Sequence, residues 1–330
     1  SREKKSIMAG QNKLAGSLAF NGIFLVIVCL NLSVLAGLVY YPQKLGIYFV
    51  LPYYTYTKVF SRAELEPHGS RWSSFSKNFA IFRIMREYLQ LGFLRPLPEK
   101  LVDSEKAPDA QFLFAFFPHG IACDYRILMD GMLHEVFPNV GDKIKALSAS
   151  ILFKIPLVRE MALWTGCVDA SRPVAESVIE KGYSILVLPG GEAEQIRTIY
   201  RKERIYLKNR KGFIKLAMRK GVKVVPAYVF GVNDYYYTSD AFAAPRTWIQ
   251  KRLGICFPLA IGLWGSMFCP LPVKTTIVFG EPLSFKIDST GFPTDAELNA
   301  AHGEFSAALK NLFDAHKHEL GYGDRVLEIL

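Results

Sequence analysis

Metal-binding and disulfide motifs are missing from this 330-residue sequence. It has five cysteines, and no two of them are in C-x-x-C spacing: Cys29, Cys123, Cys167, Cys256 and Cys269. A structural zinc site or a disulfide framework needs close or regularly repeated cysteines. The sequence therefore predicts no metal site, and a chain kept in a reducing compartment.

The sequence also lacks the G-x-S-x-G motif that carries the nucleophile of α/β-hydrolases. In those enzymes the motif places a serine on a sharp turn between a strand and a helix. A serine hydrolase is therefore disfavoured.

Charge is almost absent from the N-terminal region. Lys44 is the one charged residue between positions 14 and 57. The apolar run before it is long enough to cross a bilayer, and Pro42 with Gly46 marks a turn that is followed by a shorter apolar run. A cleaved signal peptide is disfavoured, because the run is too long and has no small-residue cleavage site. We expect a basic cytoplasmic tail at 1–13, a membrane hairpin at 14–60 and one catalytic domain at 61–330.

A second uncharged stretch lies at 253–272. Prolines and glycines interrupt it, so a regular spanning helix is a poorer interpretation than a broken segment. The pattern predicts a segment that lies in the membrane interface or forms the wall of an apolar tunnel.

Positive charge is concentrated in one part of the chain. Residues 197–223 contain eleven Lys or Arg and one acid, Glu203, a net of +10 that equals the excess of the whole sequence. Such a block predicts an anionic partner. Nucleic acid is disfavoured, because no recognition module or array of interleaved aromatic residues accompanies the charge. A phosphorylated substrate or a membrane surface remains.

The first candidate site follows a buried strand. The apolar run Phe112–Phe117 ends at Pro118, His119 and Gly120, and ligands bind beyond the carboxyl ends of such strands. On one helix a five-residue offset separates two side chains by roughly 140°. His119 can therefore meet Asp124 only if it lies in a turn before the helix. A carboxylate that fixes the tautomer of an imidazole leaves its other nitrogen as a base.

A second apolar run, 183–188, ends in a similar way at Pro189, Gly190 and Gly191, and Glu192 and Glu194 follow. Two strand ends of this kind predict one shared crevice. At this point either Asp124 or Glu194 is the acid that orients His119.

Several motifs together resemble the type-2 diacylglycerol acyltransferase family. They are Phe-Pro-His-Gly at 117–120, Phe153 to Glu160 with Pro156, Ser171-Arg172, Pro189-Gly-Gly with Glu194, Arg210 to Ala217, Pro226, Phe230-Gly231 and Gly280-Glu-Pro282. The H-x-x-x-x-D spacing of His119 and Asp124 resembles the wider glycerolipid acyltransferase superfamily. The chain departs from many type-2 members, which have His where Phe117 stands and lack an acid at the position of Asp124.

The resemblance implies an α/β fold, a mixed sheet flanked by helices with a membrane hairpin before it. It implies an acyl-CoA-dependent O-acyltransferase that converts diacylglycerol into triacylglycerol at the cytoplasmic face of the endoplasmic reticulum. His119 would be the base, Asp124 or Glu194 its partner, and Gly120, Gly190 and Gly191 the oxyanion turns. The phosphates of acyl-CoA would be bound by four cationic side chains: Arg172, Arg210, Lys211 and Lys215. Acyl-CoA is then a substrate, and no cofactor is expected.

Alternatives remain open at this stage. The acceptor could instead be a monoacylglycerol, a wax alcohol or a lysophospholipid. A membrane lipid-transfer or scaffold protein would need only the hairpin and the tunnel. The resemblance is also compatible with a homo-oligomer and with a location on lipid droplets.

Overall fold

A computed structural model describes residues 2–239, 241–253, 256, 258–287 and 291–330. The strands are β1 Gly92–Phe93, β2 Phe112–Phe117, β3 Ile144–Ser148, β4 Cys167–Asp169, β5 Ser184–Val187, β6 Arg204–Ile205, β7 Lys223–Phe230, β8 Tyr237–Ser239, β9 Leu259–Ile261, β10 Thr276–Phe279 and β11 Glu328–Ile329.

The α-helices are α1 Arg2–Tyr40, α2 Pro42–Leu45, α3 Leu51–Thr55, α4 Ser73–Asn78, α5 Ala80–Tyr88, α6 Glu99–Glu105, α7 Asp124–Met129, α8 Leu133–Val136, α9 Val158–Trp164, α10 Arg172–Glu180, α11 Gly191–Gln195, α12 Gly212–Lys220, α13 Ala243–Leu253 and α14 Asp295–His316. Two π-helical turns, Gly46–Val50 and Tyr56–Phe60, continue α2 and α3.

The main sheet has seven strands in the order β1-β10-β7-β2-β5-β3-β4. Strands β7, β2, β5, β3 and β4 are parallel, whereas β10 is antiparallel to β7. All six residues of β2 are buried, as expected for a central strand with both faces covered. The predicted mixed sheet flanked by helices is confirmed.

The side chains of β2 divide the core into two halves. Phe112, Phe114 and Phe116 pack in the cluster that contains α5 and α7, and Leu113 and Phe117 pack against α12 and α14. This division follows from the two-residue period of a strand, which turns successive side chains to opposite faces. Because both faces are filled, the carboxyl end of β2 is the part of the strand that is open to a ligand.

The chain reverses direction after α1. Asn31 of α1 donates to the carbonyl of Pro156 at 3.3 Å, and Tyr53 of α3 donates to Glu160 at 3.0 Å. Both arms therefore contact the same short segment of the domain, at the start of α9. The stretch Asn12–Tyr40 within α1 is the one described helix that is long and apolar enough to cross a membrane. Position 1 of the predicted tail lies outside the described residues.

The uncharged segment 253–272 is broken, as its prolines and glycines predict. Strand β9 pairs antiparallel with β8, and a 3-10 turn at Leu263–Gly265 follows it. Trp264 in that turn is 67% exposed. Ser266 donates to Asn21 of α1 at 2.5 Å, and the rings of Phe268 and Phe24 stack. Positions 254, 255 and 257 of this prediction lie outside the described residues.

Candidate active site

His119 lies in the turn between β2 and α7, as the spacing predicts. Its ring Nδ1 is 3.0 Å from the carbonyl oxygen of Gly120. A carbonyl oxygen can only accept, so this hydrogen bond requires the proton on Nδ1 and leaves a lone pair on Nε2. Burial lowers the pKa of His119 below its ordinary value, which keeps the ring neutral. The arrangement presents one basic nitrogen.

Glu194 lies one strand away, in α11 after β5, and its side chain is buried. Its Oε1 accepts the backbone N–H of His119, and its Oε2 accepts the backbone N–H of Tyr206 at 2.8 Å. Burial raises its pKa to about 7, although these two hydrogen bonds and nearby Arg210 act in the opposite direction. The two strand ends therefore meet, as predicted, through the backbone of His119.

The turn glycines make this contact possible. A side chain at Gly190 would collide with the carboxylate of Glu194, and one at Gly120 would collide with Val232. Gly120 also has a φ of +69°, which favours glycine. Gly191 begins α11, and its amide donates to Leu188 at 3.1 Å. That amide is already used within the turn.

Asp124 is the first residue of α7 and points to a different partner. It accepts a hydrogen bond from the hydroxyl of Tyr236 at 3.3 Å. Burial raises its pKa to about 6. In the described part of the chain, neither Asp124 nor Glu194 has a hydrogen bond to the ring of His119. The prediction that one of them orients the imidazole directly stays a prediction.

A cavity of about 460 Å³ lies beyond the carboxyl ends of β3, β4 and β5. The N-terminal ends of α10 and α12 both border it, and such ends attract anions. Its wall carries four cationic side chains: Arg172, Arg210, Lys215 and Arg219. Three of these were predicted from the sequence.

Two cations in this region differ from the prediction. Lys211 donates to Asn299 on α14 at 2.5 Å, and it is not among the residues that line the cavity. Arg219 was not singled out, although it follows Lys215 by four positions and so shares its face of α12. Arg219 and Arg172 both bond Glu176, at 2.6 Å and 2.8 Å, which leaves Lys215 as the more available charge.

Arg210 connects the cavity to the turn at Gly190, which precedes α11. Its Nη2 donates to the carbonyl of Gly190 at 3.3 Å, and its guanidinium lies 5.2 Å from the ring centroid of Tyr206. Gly190 precedes the helix that holds Glu194. The cationic cavity and the turn with His119 are therefore connected through Arg210, Gly190 and Glu194 at the same edge of the sheet.

Within the described ranges, no group of three or more His, Cys, Asp and Glu side chains could hold a metal ion. The arrangement contains a neutral imidazole, a buried acid and a cationic cavity. These are the parts required to transfer an acyl group from an anionic donor to an alcohol.

Comparison with known proteins identifies the family. A model of the family described as diacylglycerol acyltransferase matches residues 38–329. The chain belongs to this family. It is 33% identical to diacylglycerol O-acyltransferase 2 of Dictyostelium discoideum, over 76% of this chain and 77% of that protein. No solved structure matches it significantly.

Two further relatives bear on the acceptor. The chain is 29% identical to diacylglycerol O-acyltransferase 2 of Xenopus tropicalis, over 79% of this chain and 74% of that protein. It is 30% identical to human 2-acylglycerol O-acyltransferase 3, over 77% of this chain and 76% of that protein. The predicted family is confirmed, and the chain is an acyltransferase. The lipid-transfer or scaffold alternative has no comparable support.

Sequence reasoning missed Tyr206 and the short strands beside it. A backbone N–H leaves no mark in the residue type, and a two-residue strand has no measurable period. The signal that could have drawn attention to Tyr206 is its position inside the basic block, between Arg197 and Arg210. Both guanidiniums lie about 5 Å from its ring centroid, at 4.8 Å and 5.2 Å.

Proposed function

We propose that this protein transfers a fatty acyl group from acyl-CoA to the free hydroxyl of diacylglycerol, which yields triacylglycerol and CoA. The observation that carries the proposal is the state of His119. Its Nδ1 is bonded to a carbonyl oxygen, which leaves Nε2 unprotonated, and its backbone N–H donates to Glu194. Glu194 follows Gly190, whose carbonyl accepts a hydrogen bond from Arg210 in the wall of the cationic cavity. Membership of the diacylglycerol acyltransferase family supports the same reaction.

In the proposed reaction Nε2 of His119 takes the proton of the acceptor hydroxyl as its oxygen attacks the thioester carbon. A carbon–oxygen bond forms and the carbon–sulfur bond breaks. The imidazolium then returns the proton to the leaving sulfur, which departs as the CoA thiol. Each proton and each bond is accounted for within the two substrates and one imidazole. No cofactor is needed, because acyl-CoA is consumed as a substrate.

The donor would bind with its phosphates in the cationic cavity. Two helix N-terminal ends and the side chains of Arg172, Arg210, Lys215 and Arg219 converge there. We propose that the amides of the Gly120 and Gly190 turns face the oxyanion of the tetrahedral intermediate. Lys211 contributes only to the surrounding positive potential, because its amine is bonded to Asn299.

The acceptor is a neutral lipid, so the protein must work at a membrane. The apolar helix α1 and the exposed aromatic turn around Trp264 both suit that setting. We propose residence in the endoplasmic reticulum with the catalytic domain on the cytoplasmic face, and a second location on lipid droplets. The domain limits 1–13, 14–60 and 61–330 belong to this proposal.

A second candidate acceptor has a specific observation behind it. The relative that is 30% identical is a 2-acylglycerol O-acyltransferase, so its name specifies a monoacylglycerol. The same base and donor cavity would serve that hydroxyl. Wax alcohols and lysophospholipids have no corresponding relative among those compared above.

An acceptor panel tests the proposal. Purified protein would be incubated with one labelled acyl-CoA and, separately, diacylglycerol, 2-monoacylglycerol, a long-chain alcohol or a lysophospholipid, and the lipid products would be resolved. We expect labelled triacylglycerol from diacylglycerol, and at least about 100-fold less of it from His119→Ala. If another acceptor gave the main product, that acceptor would be the substrate in place of diacylglycerol. Full turnover by His119→Ala would overturn the mechanism.

A further inference from the structure

The segment that carries Tyr206 is held by the last described strand. Strands β6 and β11 pair in parallel, and the carbonyl of Leu330 accepts the N–H groups of Leu207 at 3.0 Å and Lys208 at 2.8 Å. The N–H of Leu330 donates to Ile205 at 2.8 Å. The residues on both sides of Tyr206 are therefore tied to β11, while the N–H of Tyr206 itself donates to Glu194.

A buried charge network fixes the start of the same segment. Glu203, whose side chain is 1% exposed, accepts a hydrogen bond from Arg325 at 2.7 Å through one oxygen. Its other oxygen accepts from Tyr228 at 2.7 Å and Asn233 at 3.0 Å. Arg325 also makes two parallel bonds of 2.8 Å to Asp234. A planar guanidinium between two carboxylates fixes distance and angle together.

The network reaches the catalytic turn from two directions. On one side Glu203 leads through β6 to Tyr206 and its bond to Glu194. On the other, Asn233 and Asp234 follow Val232, the side chain that packs on Gly120 beside His119. Arg325 connects the two segments, because its guanidinium bonds Glu203 and Asp234 at the same time.

We propose that Arg325 is a positioning residue for acyl transfer: through Glu203, β6 and the amide of Tyr206 it sets the place of Glu194 against His119. This rests on the proposed function of His119 and Glu194. Stability alone does not account for the arrangement, because apolar packing stabilises a segment at least as well as a buried ion network does. What the network adds is a fixed position for one amide and one apolar side chain, on either side of the base.

The test compares two replacements of Arg325 in the full chain. Arg325→Met keeps the length of the side chain and removes the bidentate bonds, whereas Arg325→Lys keeps the charge. We expect Arg325→Met to lower kcat at least tenfold with the donor KM unchanged, and Arg325→Lys to recover part of the loss. The acid limb of the pH–rate profile should move upward in Arg325→Met, because Glu194 loses a hydrogen bond to its charged form.

Asp130→Asn is the matched control for a purely structural effect. Asp130 is buried and paired with Arg71 at 2.6 Å, in a part of the core outside the catalytic turn. It should lower thermal stability as Arg325→Met does, and leave the acid limb in place. If the acid limb of the pH–rate profile moved equally in Arg325→Met and Asp130→Asn, or in neither, Arg325 would not be a positioning residue.

Two further variants keep the result decisive. If Glu194→Gln retains normal turnover, the proposed role of Glu194 fails, whatever Arg325 does. If Glu194→Gln is impaired while Arg325→Met has the normal kcat and acid limb, the proposed function stands and the present inference falls. If Arg325→Met does not fold, Glu203→Gln replaces it, because that change keeps the shape and the pairing of Arg325 with Asp234. The same shift of the limb is then required.

Discussion

The carboxylate of Glu194 accepts the backbone N–H of His119, while the ring of His119 bonds the carbonyl of Gly120. The ring takes its tautomer from the carbonyl of Gly120. In the acid-oriented triads of other enzymes the carboxylate bonds the imidazole itself. In this chain the carboxylate of Glu194 bonds the backbone of His119 instead, and the carbonyl of Gly120 determines which ring nitrogen carries the proton.

The first prediction compares the two acids. General-base catalysis contributes about 100-fold to 10,000-fold, so His119→Ala should lower turnover by at least the smaller factor. Glu194→Gln should approach that loss, because it removes the charge that holds the His119 amide. Asp124→Asn should lose less, since Asp124 bonds Tyr236. The three variants would be compared by initial rates in the same vesicles.

A double variant provides the control. His119→Ala combined with Glu194→Gln should be little worse than His119→Ala alone, because residues that act as one unit are not additive. If Asp124→Asn were the more damaging acid change and Glu194→Gln nearly neutral, Asp124 would be the functional partner.

The second prediction concerns pH. Catalysis needs His119 neutral and Glu194 ionised, and burial lowers the pKa of His119 and raises that of Glu194 to about 7. The group with the higher pKa sets the acid limb, so activity should rise with pH through about 7. In Glu194→Gln the remaining activity should begin to rise at lower pH. An unmoved limb in that variant would assign the titration to another group.

The third prediction separates two lysines that are one helical turn apart. Lys215 lines the cavity, and Lys211 bonds Asn299. Loss of one charge-assisted phosphate contact costs roughly 1.5–3 kcal/mol, a factor of about 10 to 150. Lys215→Ala should therefore raise the donor KM by that factor, with kcat and the acceptor KM little changed. Lys211→Ala is the matched control, and an equal effect there would mean that only the overall potential matters.

The fourth prediction concerns stability. The pKa of Asp124 is raised from 3.8 to about 6, so the folded protein binds more protons than the unfolded chain between those pH values. Stability should fall as pH rises through that window. Asp124→Asn removes the buried charge and should raise the free energy of unfolding at pH 8 by about 1–3 kcal/mol.

Thermal melts at pH 4 and pH 8 check it. The Tm of Asp124→Asn should exceed that of the unchanged protein at pH 8 and nearly equal it at pH 4. At pH 4 Asp124 is largely protonated in the folded protein and partly protonated in the unfolded chain, so little charge is left to remove. A Tm that drops at pH 8 would show that the charge of Asp124 stabilises the fold.

The fifth prediction concerns the membrane. A chain that begins at Ser61 lacks the hairpin and keeps the exposed turn around Trp264. It should bind vesicles more weakly than the full chain, and Trp264→Ser in the shortened chain should weaken binding further. Vesicle flotation measures both. Full release of the shortened chain, with Trp264 intact, would exclude a second membrane contact at 253–272.

The catalytic edge could be predicted because strong local signals mark it. The strands that lead to His119 and Glu194 are continuous apolar runs, and each ends at proline and glycine. The contact of Glu194 with the backbone of His119 could not be predicted, because it joins residues that follow two different strands and depends on no residue type at position 119. Lys211 looked equivalent to Arg210 in the sequence, and only the packing of α14 separates them.

The parts that could not be predicted share a physical cause. Strands β6 and β11 have two residues each, and their pairing joins positions more than a hundred residues apart. The proposed role of Arg325 depends on Glu203 and Asp234, which lie 122 and 91 positions before it in the sequence. Neither short-range periodicity nor composition contains such information.

The contacts of α1 and α3 with the segment 156–160 have a consequence for substrate delivery. Asn31 and Tyr53, from opposite arms of the hairpin, bond Pro156 and Glu160, while the neighbouring Arg159 is locked to Glu64 at 2.6 Å. In the proposed membrane setting, these contacts hold both segments against the same part of the domain. We expect the edge of the sheet with His119 to stay at one height above the leaflet, so that a lipid acceptor reaches it by lateral diffusion and the CoA headgroup reaches it from the aqueous side.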